Sequence, residues 1–396
     1  MIMKFKRLVL SVLATSMLVG APLSYAARPG DRLEQRMKFH SNLSCEAVQG
    51  PGAFSKEWID ANISDDVDYN TKENKNAYST ALNRLTAIQC DALRDVVSDW
   101  KFSEITVSTY DSNPEVEVPE EGDSGLEIIH QKNDPLLVGK TSQQLAHDWQ
   151  EKTGEKTAAL VCANAQYKLG RVFDSSSQEE GLAQQSANLI AFMTSVIVNG
   201  AMRTYYENGE IAARDRYCAE NSMIMNNVTL FKDHCMPAIA GFRCGVCERL
   251  KEDPNSLSRD DLMQVNLLFH AAADKDQVKA NGDRGYFYDE FVHIFKVCKK
   301  EGIKCIVVSK FGTGSFAADR KAAEAMWDAD LIKAYDEVGR KLGIRVIVAD
   351  GAPKAAEPTD KNEFIKKQKK ETKEMLERIT RKSPVAVAAP ASPWGI

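Results

Sequence analysis

The chain has 396 residues, 43% of them apolar and 27% charged, with 23 Gly and 13 Pro. That composition excludes a stapled miniprotein, a collagen-like or low-complexity chain and a disordered one, and it leaves a globular protein with room for a large core. A formal charge of −5 excludes a broad positive field, so nucleic acid is not an expected partner. A small anionic ligand stays open, because a few converging backbone N–H groups bind an anion without net positive charge.

The first 26 residues carry Lys4, Lys6 and Arg7, an apolar run from Leu8 to Leu23, and the small-x-small triplet Ser24-Tyr25-Ala26. The run is interrupted by Ser11, Thr15, Ser16, Gly20 and Pro22 and is shorter than the roughly 20 residues a spanning helix needs. Residues 1–26 therefore read as a cleaved secretory signal, which predicts a secreted or periplasmic mature protein without a stable membrane span. Residues 27–100 are expected to form an N-terminal helical extension. Its clear element is Tyr78 to Trp100, where Leu82, Leu85, Ile88, Leu93, Val96 and Val97 recur on one face of a helix. The acidic, turn-rich stretch from Asp111 to Gly125 reads as a surface loop.

Residues 101–355 alternate short apolar runs with helical patterns. The runs Leu126–Ile129, Ala158–Ala163, Val228–Phe231, Val265–His270, Cys305–Ser309 and Ile344–Ala349 read as strands, and several are apolar throughout, as strands covered on both faces are. Helices are expected at Ser142–Lys152, Glu180–Met202, Tyr288–Lys300 and Arg320–Leu342. This order predicts an α/β sandwich on a mostly parallel or mixed sheet, with ligands at the carboxyl ends of the strands. Residues 356–396 read as a basic helical tail and a disordered end, the helix carrying its many Lys and interleaved Glu residues into solvent. A protein partner is open through residues 27–100 or through this tail.

All nine cysteines lie in the mature part. In an oxidising compartment some are expected to pair. Cys218, His234, Cys235, Cys244 and Cys247 read either as local disulfides or as a zinc site, and a single C-x-x-C favours the disulfides.

Two stretches carry chemistry. In K-F-G-T-G-S-F at 310–316, glycines between a buried strand and a helix permit positive φ and let the backbone approach a phosphate, although many strand-to-helix turns use Gly only to turn. Gln178-Glu179-Glu180 opens a helix after the Ala158–Ala163 strand. Acidic residues there suit the helix dipole, and a carboxylate held in a cleft is equally the general acid and base for a glycosidic bond.

The run A-A-L-V-C-A-N-A-Q-Y-K-L-G-R-V-F-D-S-S-S-Q-E-E-G from Ala158, with N-N-V-T-L-F-K-D at 226–233, N-L-L-F-H-A-A-A-D at 266–274 and the F-G-T-G-S-F loop in that order, resembles the microbial poly(ADP-ribose) glycohydrolases, relatives of macrodomains, over roughly residues 100–350. The resemblance implies a three-layer α/β/α macrodomain-like sandwich with an ADP-ribose cleft and no metal or organic cofactor. Glu180 would be the acid and base at the ribose–ribose bond, with Glu179 on the distal ribose. Gln178, Asn164 and Gly170 would lie at the ligand loop, Gly312, Thr313, Gly314 and Ser315 around the diphosphate, and Phe316 against the ribose or adenosine. The family's three consecutive glycines are replaced here by Lys168-Leu169-Gly170. Two side chains thus enter a turn that should hug the ligand. A catalytically impaired ADP-ribose-binding module and a scaffold for protein partners therefore stand beside the hydrolase as readings.

Overall fold

The computed structural model describes residues 56–382 except for residues 98, 111, 123–124, 164–177, 188–221, 233–252, 254–255, 271, 273–285, 314–318 and 352–357. Residues 1–26, expected to be a signal segment, and Cys218, His234, Cys235, Cys244 and Cys247 lie outside the described residues. So do Asn164, Lys168, Leu169, Gly170, Gly314, Ser315 and Phe316.

Seven strands form one sheet: β1 (Thr106–Tyr110), β2 (Ile128–His130), β3 (Thr157–Cys162), β4 (Ser222–Phe231), β5 (Leu262–His270), β6 (Cys305–Val308) and β7 (Arg345–Val348). Their order across the sheet is β1-β4-β5-β3-β6-β7-β2. β5, β3, β6, β7 and β2 run parallel to one another, whereas β4 pairs antiparallel with both β1 and β5. The sheet is therefore mixed, and the carboxyl ends of five strands share one edge.

Alternation along the strands fills two cores. Ala159, Val161, Val265, Leu267, Cys305, Val307 and Ile347 face one layer, and Ala158, Leu160, Leu268, Ile306, Val308, Val346 and Val348 face the other. Both faces are covered, which is why these strands read as unbroken apolar runs. The second layer holds α5 (Tyr286–Lys300) and α6 (Arg320–Ala334), locked by aromatic edges such as Phe291 on Trp327 at 5.2 Å and on Phe311 at 5.3 Å. The first layer holds α1 (Lys56–Asn62), α2 (Lys75–Val96), α3 (Ser142–Thr153), α4 (Gln178–Gln185) and α7 (Lys361–Lys382). This is the expected three-layer α/β/α sandwich on a mixed sheet.

Several expectations are corrected. Of the helix expected from Glu180 to Met202, the described part ends at Gln185, where Ser186 bridges Leu230 and the Ala187 N–H donates to the Thr229 carbonyl. Pairing with β4 thus interrupts the helical pattern at Ser186 and Ala187, and residues 188–202 lie outside the described residues. The helix from Arg320 ends at Ala334 and gives way to a π-helical turn over Tyr335–Gly339. β1 was not expected, and β4 begins at Ser222, six residues before the expected start, with a register shift between Met225 and Val228. α7 is not a solvated rod, since Ile365 and Met375 are buried and Gln89 of α2 donates to the Thr372 hydroxyl at 2.9 Å. Among the described residues no disulfide joins Cys90, Cys162, Cys298 or Cys305. No helix among the described residues is long and apolar enough to cross a membrane.

Candidate active site

The common carboxyl edge of β5, β3, β6, β7 and β2 is where an open α/β sheet leaves room for a ligand. At the end of β3, the Gln178 side chain takes the place of a neighbouring strand. Its Oε1 accepts from the Cys162 N–H at 2.8 Å, and its Nε2 donates to the Leu160 carbonyl at 3.2 Å and to the Ser142 hydroxyl at 3.0 Å. A primary amide supplies both the donor and the acceptor that an interrupted strand lacks. The first turn of α4 is thereby fixed to the tip of β3. Gln178 was expected as a ligand contact, and both ends of its amide are engaged within the protein.

The next two residues are the carboxylates. Glu179 is 1% exposed and Glu180 is 7% exposed, both in the first helical turn. The Glu179 charge is felt by Cys162, whose thiol is pushed up by burial and by that charge while the Ser309 hydroxyl pulls it down. Cys162 Sγ lies 3.2 Å from Ser309 Oγ, a side-chain bridge from the end of β3 to the residue after β6. The acid-bearing helix, bonded to the tip of β3, and the glycine turn after β6 thus stand at one carboxyl edge of neighbouring parallel strands, α4 in the first layer and the turn against Ala272 and Phe287 of the second.

The turn after β6 is tight. The Phe311 N–H donates to the Ser309 carbonyl at 2.7 Å and the Thr313 hydroxyl donates to the Lys310 carbonyl at 2.8 Å. Gly312 sits at φ +74, and a Cβ there would stand 2.9 Å from both Ala272 Cβ and Phe287 Cε1. The position demands glycine both for its left-handed backbone and for its close approach to two buried side chains. Thr313 is buried and spends its hydroxyl inside the turn, which leaves it the backbone for any ligand.

Sequence reasoning missed four polar side chains at this edge. His270 ends β5 in register with Cys162, is 1% exposed, and has its ring 5.7 Å from Phe311 and its Nε2 3.9 Å from a Glu290 oxygen. His293 accepts from or donates to Ser222 Oγ at 2.8 Å and faces Asn113 Oδ1 at 3.2 Å. Burial first, then the neighbouring His270 and Lys296, push its imidazole down to about 3. At the far end of the edge, His130 Nδ1 lies 2.9 Å from Asp350, which also accepts from the Lys132 N–H at 3.0 Å. Burial works against ionised Asp350, yet these hydrogen bonds hold its carboxyl below the usual range. The available signal was a single polar residue closing an apolar strand, as in I-I-H, L-V-C, L-F-H and V-V-S.

Among the described residues no group of three or more His, Cys, Asp or Glu side chains could hold a metal ion. The arrangement is that of a crest with carboxylates at one strand end and a tight glycine turn at the next. No protein-family model matches the sequence, and no curated protein matches it. Among solved structures, the chain is similar to a poly(ADP-ribose) glycohydrolase from Thermomonospora curvata, at 14% identity over 70% of this chain and 88% of that one, with a TM-score of 0.40. It is also similar to a poly(ADP-ribose) glycohydrolase from Deinococcus radiodurans in complex with ADP-ribose, at 14% identity over 71% and 90% of the two chains, with a TM-score of 0.40.

Proposed function

We propose that the chain is an exported hydrolase of ADP-ribosyl glycosidic bonds, acting on poly(ADP-ribose) or ADP-ribosylated protein, with Glu180 as general acid and base. The observation that carries this reading is that the Gln178-Glu179-Glu180 helix, bonded to the tip of β3, and the Gly312 turn after β6 stand at the carboxyl ends of adjacent parallel strands. The order of motifs along the chain supports it independently. In the reaction, the Glu180 carboxyl gives its proton to the leaving oxygen as the ribose C–O bond breaks. The resulting carboxylate takes a proton from the water that adds to the ribose carbon, so that acid and product are both restored. Glu179 orients the ribose, and the turn from Gly312 onward holds the diphosphate through backbone N–H groups.

The test pairs binding with turnover on the mature chain. ADP-ribose should raise the thermal midpoint of wild type and of Glu180→Gln alike, because a ligand that binds only the folded form stabilises it. Wild type should release ADP-ribose from labelled polymer, and Glu180→Gln should not, since the substitution keeps the shape and deletes the titrating proton. Release by the variant would remove Glu180 from its role. The Lys168-Leu169-Gly170 sequence favours a second reading, a binding module, which binding without release by wild type would establish.

A further inference from the structure

α4 has eight residues, too few for a helix to hold its own shape in water, where roughly 12–15 are needed even for good formers. Its geometry must come from bonds to its surroundings. The β3 and α3 side supplies the Gln178 contacts already described and a buried amide pair, Gln143 Nε2 to Gln185 Oε1 at 3.0 Å. The opposite side is supplied by α2, from the N-terminal extension. Gln184 Nε2 donates to Asn83 Oδ1 at 2.8 Å, both residues 1% exposed, and Arg94 Nη1 donates to the Gln184 carbonyl at 3.1 Å. Gln184 lies four residues after Glu180, so the two side chains stand on one helix face, a turn apart. α2 is itself tied to α7 through Gln89 and Thr372.

We infer that α2 is a positioning element for the acid-bearing helix, and that Asn83 and Arg94 set the orientation of Glu180 through Gln184. The inference rests on the proposed hydrolase reading for its catalytic consequence. Both act through Gln184 and are positioning residues. Polar groups held at 1% exposure fix a rotation that apolar contacts alone would leave free to slide, and a reacting carboxylate tolerates little displacement.

The experiment uses the mature chain as wild type, Asn83→Ala, Gln184→Ala, the double variant, and Arg94→Met as a milder change on a part-exposed residue. Amide exchange should quicken about tenfold across residues 179–185 in each variant and stay unchanged in β6 and β7, as expected for loss of one buried hydrogen bond. With labelled polymer as substrate, kcat should fall about tenfold while the Kd for ADP-ribose holds, and the double variant should be no worse than Gln184→Ala, because the two side chains act as one unit. Unchanged exchange over 179–185, additive losses, or a parallel loss of ADP-ribose affinity would each overturn the inference. If Asn83→Ala does not fold, Arg94→Met decides by the same readouts. A wild type without turnover refutes the hydrolase reading instead, and the exchange data then decide whether α2 positions α4.

Discussion

Gly312→Ala is the substitution that most directly separates a turn built for close approach from a turn that merely turns. A side chain at φ +74 costs roughly 1–2 kcal/mol in backbone strain. The added Cβ would also stand 2.9 Å from Ala272 Cβ, which has no rotamer to escape into, and 2.9 Å from the Phe287 ring, which is itself buried and meets Phe311 edge-on at 5.8 Å. Forcing such a packed contact apart adds about 1–3 kcal/mol. The sum is about 2–5 kcal/mol, which at roughly 2 cal/mol/K of unfolding entropy per residue lowers the midpoint of a protein this long by about 2–6 °C. Gly302→Ala is the control, because Gly302 has φ +71 and nothing within 4 Å of its Cβ position, so it carries the strain alone. Scanning fluorimetry with and without ADP-ribose reads both. Gly312→Ala should be the more destabilised of the two and should lose at least about tenfold in ADP-ribose affinity, the worth of one or two N–H contacts, while Gly302→Ala keeps its affinity. Equal midpoints for the two variants would refute the packing argument, and retained affinity in Gly312→Ala would refute the turn as the phosphate cradle.

His293 gives the fold an acid sensitivity of known sign. Its ring takes a proton near 6.5 when unfolded and near 3 when folded, so the stability it contributes is complete above 6.5 and is lost as the pH falls from there towards 3; at pH 5 the loss is about 2 kcal/mol. Urea midpoints at pH 7.5 and pH 5 should therefore converge in His293→Gln relative to wild type, and an unchanged pH dependence would exclude His293 as the source. Ile365→Ala on α7 should cost about 2–4 kcal/mol in urea unfolding, as burial predicts, whereas a change within about 0.5 kcal/mol would mark α7 as the solvated rod its charges imply.

The sequence displayed what depends on local pattern. β3, β5, β6 and β7 were legible because both faces are covered and each reads as an apolar run. β1 was not, since T-V-S-T-Y alternates polar and apolar residues and lies at the sheet edge with β4 as its sole neighbour. The Gln178-Glu179-Glu180 helix and the Gly312 turn were legible from residue type, because carboxylates and glycines are few enough to notice between a strand and a helix. What Gln178 does was not legible, as it depends on the tip of β3 lacking a partner just there. His270, His130 and Asp350 went unread for the same reason. Each is one polar residue at a strand end, and only the parallel register reveals that those ends share an edge.

The two chain ends show how charge conceals packing. α7 carries so many lysines that its apolar positions, Phe364, Ile365 and Leu376, are hard to see among them, yet they lie on the core shared by Leu85 and Ile88 of α2 and by Val161 and Leu267 of the sheet. Lys369 is buried with them, its ammonium donating to the Ile63 carbonyl at 2.8 Å and facing Asp65 at 3.0 Å. A lysine reaches such a site only where its charge is met, so its stem adds to the core while its tip ties α7 to the end of α1. Residues more than 270 positions apart, Gln89 and Thr372 among them, thereby close over the face on which α4 lies. The carboxylates of α4 sit between a sheet that sets their height and a layer of terminal helices that sets their rotation. That is why the reach of this site extends beyond the strand-and-loop motifs that first reveal it.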